Sequence, residues 1–515
     1  MRTAAPGSST LPGGGFPPES FSVPPLRCHS VKKVPTPRVL FLTHEPLMHA
    51  MAGPSIRVWE LAHVLSRDQP VTIGTPNESP VHSNQVALRC YRDGELARLL
   101  REHEVVVAIG YLLREYPEIR KLARYLAMDI YGPFVLENLN MYEDRPVWER
   151  LHIHQHGVDV VLEQLEVADF FFCASERQRD YWLGALSIAN RLNRYTFAED
   201  PTLRRLIDVV PFGLPGEPPR AGGHGIKGVV PGIKSDDFVV LWTGGIWDWF
   251  DALTVVRAAA LLRQRDPRVK FYFMGVRHPN PANPQMAMAR KTEQLAKELG
   301  VWERQVFFSE HWIAYDERVN YLCDADLAIS LHREHIETRL SFRTRMLDYL
   351  WAGLPIIATE GDVFADLVRE HGAGAVVPEG DPEAVARAVL DFARDEGGRQ
   401  QAGNNARRLG RDYTWDRAAR ALARYCQAPW QAPDRGRPGL WLPRIPGSTP
   451  VRQLDTVLRT EGPRAALGYA GQRLALHPAG PLVLLRRAFE TWRESGLSGV
   501  WRKTRRRLAR RRRRR

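Results

Sequence analysis

Twelve short apolar segments, separated by amphipathic helical stretches, recur along the chain and limit strongly how it can fold. They show little alternation between apolar and polar residues, which predicts strands that are buried on both faces. The first six are RVLFLTH (38–44), PVTIGTP (70–76), EVVVAIG (104–110), AMDIY (127–131), DFFFCAS (169–175) and IDVVPFG (207–213). The next six are FVVLWTG (238–244), VKFYFMG (269–275), QVFFSE (305–310), DLAISL (326–331), PIIATE (355–360) and AGAVVPEG (373–380).

The two sets of strands predict two α/β domains, each a doubly wound parallel sheet. With 515 residues the chain is also too long for one compact core. We place the first domain at 37–215 and the second at 236–428, joined by the Pro/Gly-rich linker 216–235. Ligands of such sheets bind at the carboxyl ends of the strands, so the expected site is the cleft between the domains. Residues 1–36, rich in Pro, Gly and Ser, are expected to be a disordered leader.

The net charge of +13 is concentrated at the C-terminus. Residues 501–515 contain ten Arg and one Lys without an acid, which leaves +2 for the other 500 residues. In the predicted basic helical extension 429–515, an apolar face precedes this Arg run: Leu482, Leu485, Phe489 and Trp492. Such a helix favours docking on an anionic membrane surface. A nucleic-acid-binding tail without sequence specificity and a solvated tail stay open as alternatives.

Other features bear on cellular location. The sequence contains no run of about 18 apolar residues, so no transmembrane helix is predicted. The N-terminal segment lacks the apolar core that a secretory signal would have. The five cysteines are scattered and form no C-x-x-C pair, which fits a reducing compartment and predicts no metal site. We therefore expect a cytoplasmic protein, peripheral at the inner face of the cell membrane if the tail docks there.

The segment LSFRTRMLDYLWAGLP (340–355) predicts a helix that binds an anion. Ser341 is a plausible N-cap, and Arg343 and Arg345 add positive charge to the free N–H groups of the first turn. A diphosphate bound there would bring the hydroxyls of an attached ribose close to Asp348, which lies two turns along. The alternative is that Arg345 and Asp348 form an ion pair on a solvated helix face.

Eight segments in order resemble the retaining family 4 glycosyltransferases, whose two Rossmann-like domains form the GT-B fold. LDYLWAGLPIIATEGD (347–362) is similar to that family's nucleotide-binding segment. The others are MAGPSIRVWELAHVLS (51–66), VTIGTP (71–76), VVPFG (209–213), FVVLWTGGI (238–246), DADLAISL (324–331), HGAGAVVPEGDPEAVARAV (371–389) and YTWDRAARAL (413–422). The resemblance covers roughly residues 37–428 and implies that the last helix crosses back to the first domain.

The resemblance implies roles for several residues. Asp348 stands where the second Glu of the family's Glu-x7-Glu pair binds the ribose, whereas the first Glu falls at Leu340 and leaves Glu337 as the nearest substitute. Tyr131 stands where the family has a His in its catalytic region, with Asp129 beside it. We therefore name Glu337, Tyr131 and Asp129 as catalytic candidates.

The predicted donor site departs from the family at its phosphates. The family's Arg and Lys after the first strand of the second domain are replaced by Gly245 and Phe250, so Arg343 and Arg345 are the candidate substitutes. Gly53 would let the backbone approach the phosphates from the first domain. The predicted donor-binding residues are Asp348, Arg343, Arg345, Ser341, Gly53, Gly244 and Gly245.

The sequence therefore predicts a glycosyltransferase that moves a sugar from a nucleotide diphosphate-sugar to a glycan or lipid-linked acceptor, in cell-surface polysaccharide or glycolipid assembly. The resemblance implies retention of configuration, no metal and no cofactor beyond the donor. No specific nucleic-acid partner is indicated. The alternatives are a nucleotide-sugar-binding protein without transferase activity, a polyanion- or RNA-binding protein acting through the tail, and a nucleotide-sugar epimerase on the same fold.

Overall fold

The structure, a computed structural model, describes residues 36–92, 94–141, 145–275, 286–309, 311–436 and 462. The predictions of a disordered leader, an apolar face at 482–492 and a basic tail lie outside these residues, apart from residue 36.

The first lobe is built around a seven-stranded parallel sheet. Its strand order is β3-β2-β1-β4-β5-β6-β7. The strands are β1 Val39–Leu42, β2 Val71–Thr75, β3 Ala87–Cys90, β4 Val105–Ile109, β5 Tyr125–Asp129, β6 Phe170–Cys173 and β7 Ile207–Val209. The helices are α1 Gly53–Ser66, α2 Glu95–Glu102, α3 Leu112–Glu115, α4 Glu118–Leu122, α5 Phe134–Met141, α6 Val147–Val167, α7 Glu176–Ile188 and α8 Arg194–Glu199.

The second lobe contains a six-stranded parallel sheet with the order β10-β9-β8-β11-β12-β13. Its strands are β8 Phe238–Trp242, β9 Val269–Phe273, β10 Val306–Phe308, β11 Leu327–Ser330, β12 Ile356–Thr359 and β13 Gly374–Val377. Its helices are α9 Ala252–Arg265, α10 Ala287–Glu298, α11 Arg318–Asp324, α12 Ile336–Leu340, α13 Thr344–Ala352, α14 Val363–His371, α15 Pro382–Arg394 and α16 Glu396–Gly410.

The prediction of two doubly wound α/β domains is confirmed, and each of the twelve predicted strands is present. The sequence prediction missed β3, because this edge strand alternates exposed and half-buried residues instead of forming an apolar run. It also placed the fourth strand too far along the chain: β5 ends at Asp129, so Tyr131 lies in the loop beyond it.

The chain returns to the first lobe through two short helices, α17 Trp415–Ala418 and α18 Arg420–Gln427. The ring of Trp415 packs against Phe212, with the ring centroids 4.7 Å apart, and Tyr425 stacks on Phe170 at 4.9 Å. These aromatic contacts attach the end of the second lobe to the core of the first.

The predicted linker, 216–235, packs on the second lobe. Asp324, at the end of α11, accepts hydrogen bonds from the backbone N–H groups of Gly225, Ile226 and Lys227, at 2.8–3.0 Å. The side chain of Ile226 is fully buried. The segment is therefore held to α11 along part of its length.

Within the described ranges, no helix has both the length and the apolar composition to cross a bilayer. The same residues contain no cluster of three His, Cys, Asp or Glu side chains placed to hold a metal ion.

Candidate functional site

A cleft of about 320 Å³ separates the two lobes. The first lobe contributes the start of α1 at Gly53, the loop after β5 at Tyr131, and Glu137 on α5. The second lobe contributes the loop after β8 and the helix α13. The cleft therefore lies at the carboxyl ends of strands from both sheets, where doubly wound folds bind their ligands.

Asp348 faces this cleft from α13. One carboxylate oxygen, Oδ1, accepts a hydrogen bond from Nε of Arg318 at 3.3 Å, and the side chain is 29% exposed. Among the described residues no group bonds the other oxygen, Oδ2. Burial raises the pKa of Asp348, and the charge of Arg318 opposes that shift. The alternative of an Arg345–Asp348 pair is wrong, because Arg318 takes that place.

The predicted N-cap is also wrong. The helix α13 begins at Thr344, and Ser341 lies in the turn after α12, where its hydroxyl donates to the carbonyl of Thr338 at 3.0 Å. The residues 341–343 separate α12 from α13 and belong to neither helix. The free N–H groups of α13 are therefore at Thr344 and the residues that follow it.

Arg345 is a cation that lines the cleft from α13. Its Nη2 donates to the carbonyl of Gly245 at 2.7 Å, and its guanidinium lies over the rings of Phe250 and Trp242, at 4.0 and 4.7 Å. Within the described part of the chain its Nη1 is buried without a hydrogen-bond partner, although a buried guanidinium normally has its donors satisfied. Burial lowers the pKa of Arg345 to about 10, so it stays charged at neutral pH. Arg345 is therefore a charged side chain that lines the cleft.

Gly244 and Gly245 form the loop that receives this arginine. Gly244 has a φ of +70°, and a Cβ built there would lie 3.7 Å from Nη2 of Arg345. Both glycines line the cleft beside the start of α13. The structure therefore brings Gly244, Gly245, Arg345 and Asp348 together, as the donor-site prediction requires.

Arg343 and Glu337 bind each other instead of facing the cleft separately. Nη1 and Nη2 of Arg343 donate to the two carboxylate oxygens of Glu337, at 2.9 and 2.7 Å, and both side chains are buried. The predicted use of Arg343 as a free phosphate-binding charge does not agree with this pair. Glu337 likewise has both oxygens occupied, and the pair lines a smaller cavity of about 130 Å³ beside the cleft.

Asp129 is not among the residues that line either cavity. Its carboxylate is buried and accepts from Nε and Nη2 of Arg57, at 2.6 and 3.3 Å, and from the backbone N–H of Tyr131 at 3.1 Å. Burial raises the pKa of Asp129, and Arg57 opposes the shift. This arrangement is that of a structural ion pair. Tyr131 does line both cavities, with its ring 5.0 Å from the guanidinium of Arg57.

Gly53 opens α1 at the cleft, with Pro54 in the first turn. A Cβ built on Gly53 would meet nothing within 4 Å, so packing within this chain does not require a glycine there. The position leaves room for a ligand to approach the free N–H groups of the helix.

Two features at the cleft are absent from the predicted set of catalytic and donor-binding residues. One is Glu137. The other is a chain of contacts that joins the lobes: Glu60 on α1 accepts from the hydroxyl of Tyr315 at 2.9 Å, and Arg318 lies over the Tyr315 ring at 3.7 Å and bonds Asp348. Tyr315 and Arg318 are three residues apart, but the other members are distant in the sequence and form no local motif with them.

One family model matches part of this chain. Residues 237–395, which make up most of the second lobe, match the family described as Glycosyl transferases group 1. The matched range contains α13, Arg345 and Asp348.

Relatives are similar over part of their length. A D-inositol 3-phosphate glycosyltransferase of Salinispora tropica is 28% identical over 186 residues, which is 36% of this chain and 37% of that protein. A protein of the same name from Saccharomonospora viridis is 26% identical over 242 residues, 45% of this chain and 54% of that protein. The chain thus spans roughly a third to a half of the length of these relatives.

Solved structures show the fold. HepE from Anabaena, in complex with UDP-glucose, covers 75% of this chain and 98% of its own, with a TM-score of 0.54 and 15% identity. Sucrose-phosphate synthase from Thermosynechococcus elongatus covers the same shares, with a TM-score of 0.52 and 15% identity. Residues 237–395 thus match the family Glycosyl transferases group 1, in a chain whose two Rossmann-like lobes have the GT-B fold.

Proposed function

We propose that this protein is a glycosyltransferase that binds a nucleotide diphosphate-sugar in the cleft and transfers the sugar to an acceptor held by the first lobe. One observation carries the proposal: within residues 237–395, which match Glycosyl transferases group 1, Arg345 and Asp348 lie three residues apart on α13 and line one cleft, and no described residue bonds Nη1 of Arg345.

The charges of these two groups suit the two parts of a nucleoside diphosphate. The leaving diphosphate gains negative charge during transfer, and a preorganised, buried cation stabilises that charge. The free oxygen of Asp348 can accept hydrogen bonds from ribose hydroxyls. Arg345 thereby takes the place of the cations that the family has at Gly245 and Phe250. The centre of its guanidinium lies 4.0 Å from the centroid of the Phe250 ring.

The donor and acceptor follow from the comparisons as proposals. HepE was solved with UDP-glucose, so a UDP-sugar is the first donor to test. The relatives named D-inositol 3-phosphate glycosyltransferase make that polyol phosphate the first acceptor to test. A lipid-linked acceptor in cell-surface polysaccharide or glycolipid assembly, with the tail at an anionic membrane, stays a prediction, as do the cytoplasmic location and the retaining outcome.

The test of the proposal is turnover by the full chain. UDP-, GDP-, ADP- and dTDP-sugars would be incubated with D-inositol 3-phosphate and with other sugar acceptors, and release of the nucleoside diphosphate would be measured. We expect release from one donor class, and the same rate in EDTA because the proposed reaction uses no metal or further cofactor. Nucleotide binding without release from any donor would instead support the alternative of a binding protein without transferase activity.

Replacing Arg345 with methionine should weaken binding of the diphosphate selectively. Charge-assisted hydrogen bonds are worth about 1.5–3 kcal/mol, so we expect the affinity for UDP to fall about 10- to 150-fold, with that for uridine unchanged. Calorimetric titration with both ligands measures the difference. Arg265→Met, which removes an exposed pair with Glu383 on the same lobe, is the matched control and should change neither affinity. Equal losses for UDP and uridine would rule out the phosphate role.

A further inference from the structure

Glu137 is an acidic side chain in the cleft to which the proposed donor site gives no role. It lies on α5 of the first lobe, opposite the second-lobe pair of Glu337 and Arg343. It lines both the main cleft and the smaller cavity of about 130 Å³. The two cavities thus meet at this carboxyl.

The carboxyl of Glu137 is left without a partner. Within the part of the chain that the structure describes, it makes no hydrogen bond or ion pair, whereas Asp129 and Glu337 are each held by an arginine. Burial and the negative charge of Glu337 raise the pKa of Glu137 to about 7, and the charge of Arg343 opposes that shift. A partly buried acid kept unpaired does not add to stability, so a structural role does not explain it.

The groups around Glu137 leave it free to meet a ligand. Across the cavity lie Glu337 and Arg343, which satisfy each other, and Tyr131 lies on the preceding loop. The helix α5, FVLENLNM, has no other titratable residue. At Gly157, α6 meets α5 through uncharged side chains: Phe134, Val135 and Asn138.

We propose that Glu137 is a catalytic residue that binds the attacking hydroxyl of the acceptor and accepts its proton during transfer. The inference rests on the proposed function, because it assigns a role within that reaction. Its basis is position: Glu137 belongs to the lobe opposite α13, it lines the cleft, and no described residue occupies either of its carboxylate oxygens.

In the proposed step one bond forms, one bond breaks and one proton moves. The acceptor oxygen forms a bond to the anomeric carbon of the donor sugar. The bond from that carbon to the diphosphate oxygen breaks, and its electron pair leaves with the diphosphate beside Arg345. The hydroxyl proton passes to the Glu137 carboxylate, which later releases it to water. A base whose pKa lies near the working pH suits this transfer.

Kinetics of the full chain test the role, with the donor and acceptor that turn over in the panel described above. In the wild type, kcat/KM should rise with pH through about 7, as Glu137 loses its proton. Glu137→Gln should lower kcat about 10²- to 10⁴-fold, remove that rise and leave UDP affinity unchanged. Glu166→Gln, an exposed acid on α6, is the matched control and should behave as the wild type. Since glutamine removes the repulsion from Glu337, Glu137→Gln should not melt below the wild type.

A measurement without turnover gives a second readout. Carbodiimide coupling of glycine ethyl ester, followed by peptide mass spectrometry, reports carboxyls that still hold a proton near neutral pH. At pH 7 Glu137 should be modified well ahead of Glu166. Absence of that preference, or near-wild-type kcat in Glu137→Gln, overturns the inference while leaving the proposed function intact. If the wild type turns over no donor, the proposed function fails and this inference with it.

Discussion

Replacing Arg57 with methionine is expected to lower the free energy of unfolding by about 3–5 kcal/mol, because it leaves the carboxylate of Asp129 buried without its cation. Arg57 is fully buried. Besides Asp129, its guanidinium donates to the backbone carbonyls of Val210 and Pro211, at 2.7 and 2.9 Å. A single side chain of α1 therefore connects the end of β5 to the residues that follow β7. Tyr131 and Phe212, which follow these two segments, line the cleft.

Urea unfolding followed by tryptophan fluorescence measures this loss. The matched control is Arg67→Met. Arg67 lies one residue past the end of α1 and pairs with Asp416, and both of these side chains are exposed. That control should change stability by less than about 0.5 kcal/mol. The double variant Arg57→Met with Asp129→Leu should regain part of the loss, since no unpaired charge stays buried. A loss as small as that of the control would show that the pair does not hold the lobe together.

Replacing Asp348 with alanine should weaken nucleotide binding by about 2–3 kcal/mol, or about 30- to 150-fold. The reason is that one carboxylate oxygen is engaged by Arg318 and the other is free for the vicinal hydroxyls of a ribose. The loss should depend on those hydroxyls. The 2′,3′-dideoxy form of the same nucleotide should bind the wild type and the Asp348 variant about equally.

Two controls distinguish a specific loss of nucleotide binding from a general loss of folding. Glu383→Ala, which removes an exposed acid of an arginine pair on the same lobe, should leave nucleotide affinity unchanged. Circular dichroism of the Asp348 variant should match that of the wild type at the temperature of titration. If the dideoxy nucleotide loses as much affinity as the natural one, Asp348 acts through Arg318 and not on the ribose.

The strands were predictable because a strand that is buried on both faces needs apolar residues at nearly every position, and this pattern is visible in the local sequence. Runs such as FVVLW and DFFFC are apolar at every position or nearly so, and no tertiary information is needed to recognise them. β3 was missed because ALRC at a sheet edge alternates like an ordinary surface segment.

The site was predictable only in part, because its geometry depends on contacts between distant residues. The helix pattern placed Asp348 and Arg345 on one face correctly. It could not show that Arg343 pairs with Glu337, that α13 begins only at Thr344, or that Arg318 replaces Arg345 as the partner of Asp348. Arg57 and Asp129 are 72 residues apart, and Glu137 on a short helix looks like any solvated acid.

Calorimetric titration of the full chain with UDP, GDP, ADP and dTDP, on the wild type and on Asp348→Ala, shows whether the cleft binds a nucleotide. We expect one diphosphate to bind the wild type at a single site and the variant to lose most of that affinity. If none of the four binds the wild type at concentrations up to about 1 mM, where binding would be worth about 4 kcal/mol, the cleft is not a nucleotide-sugar site.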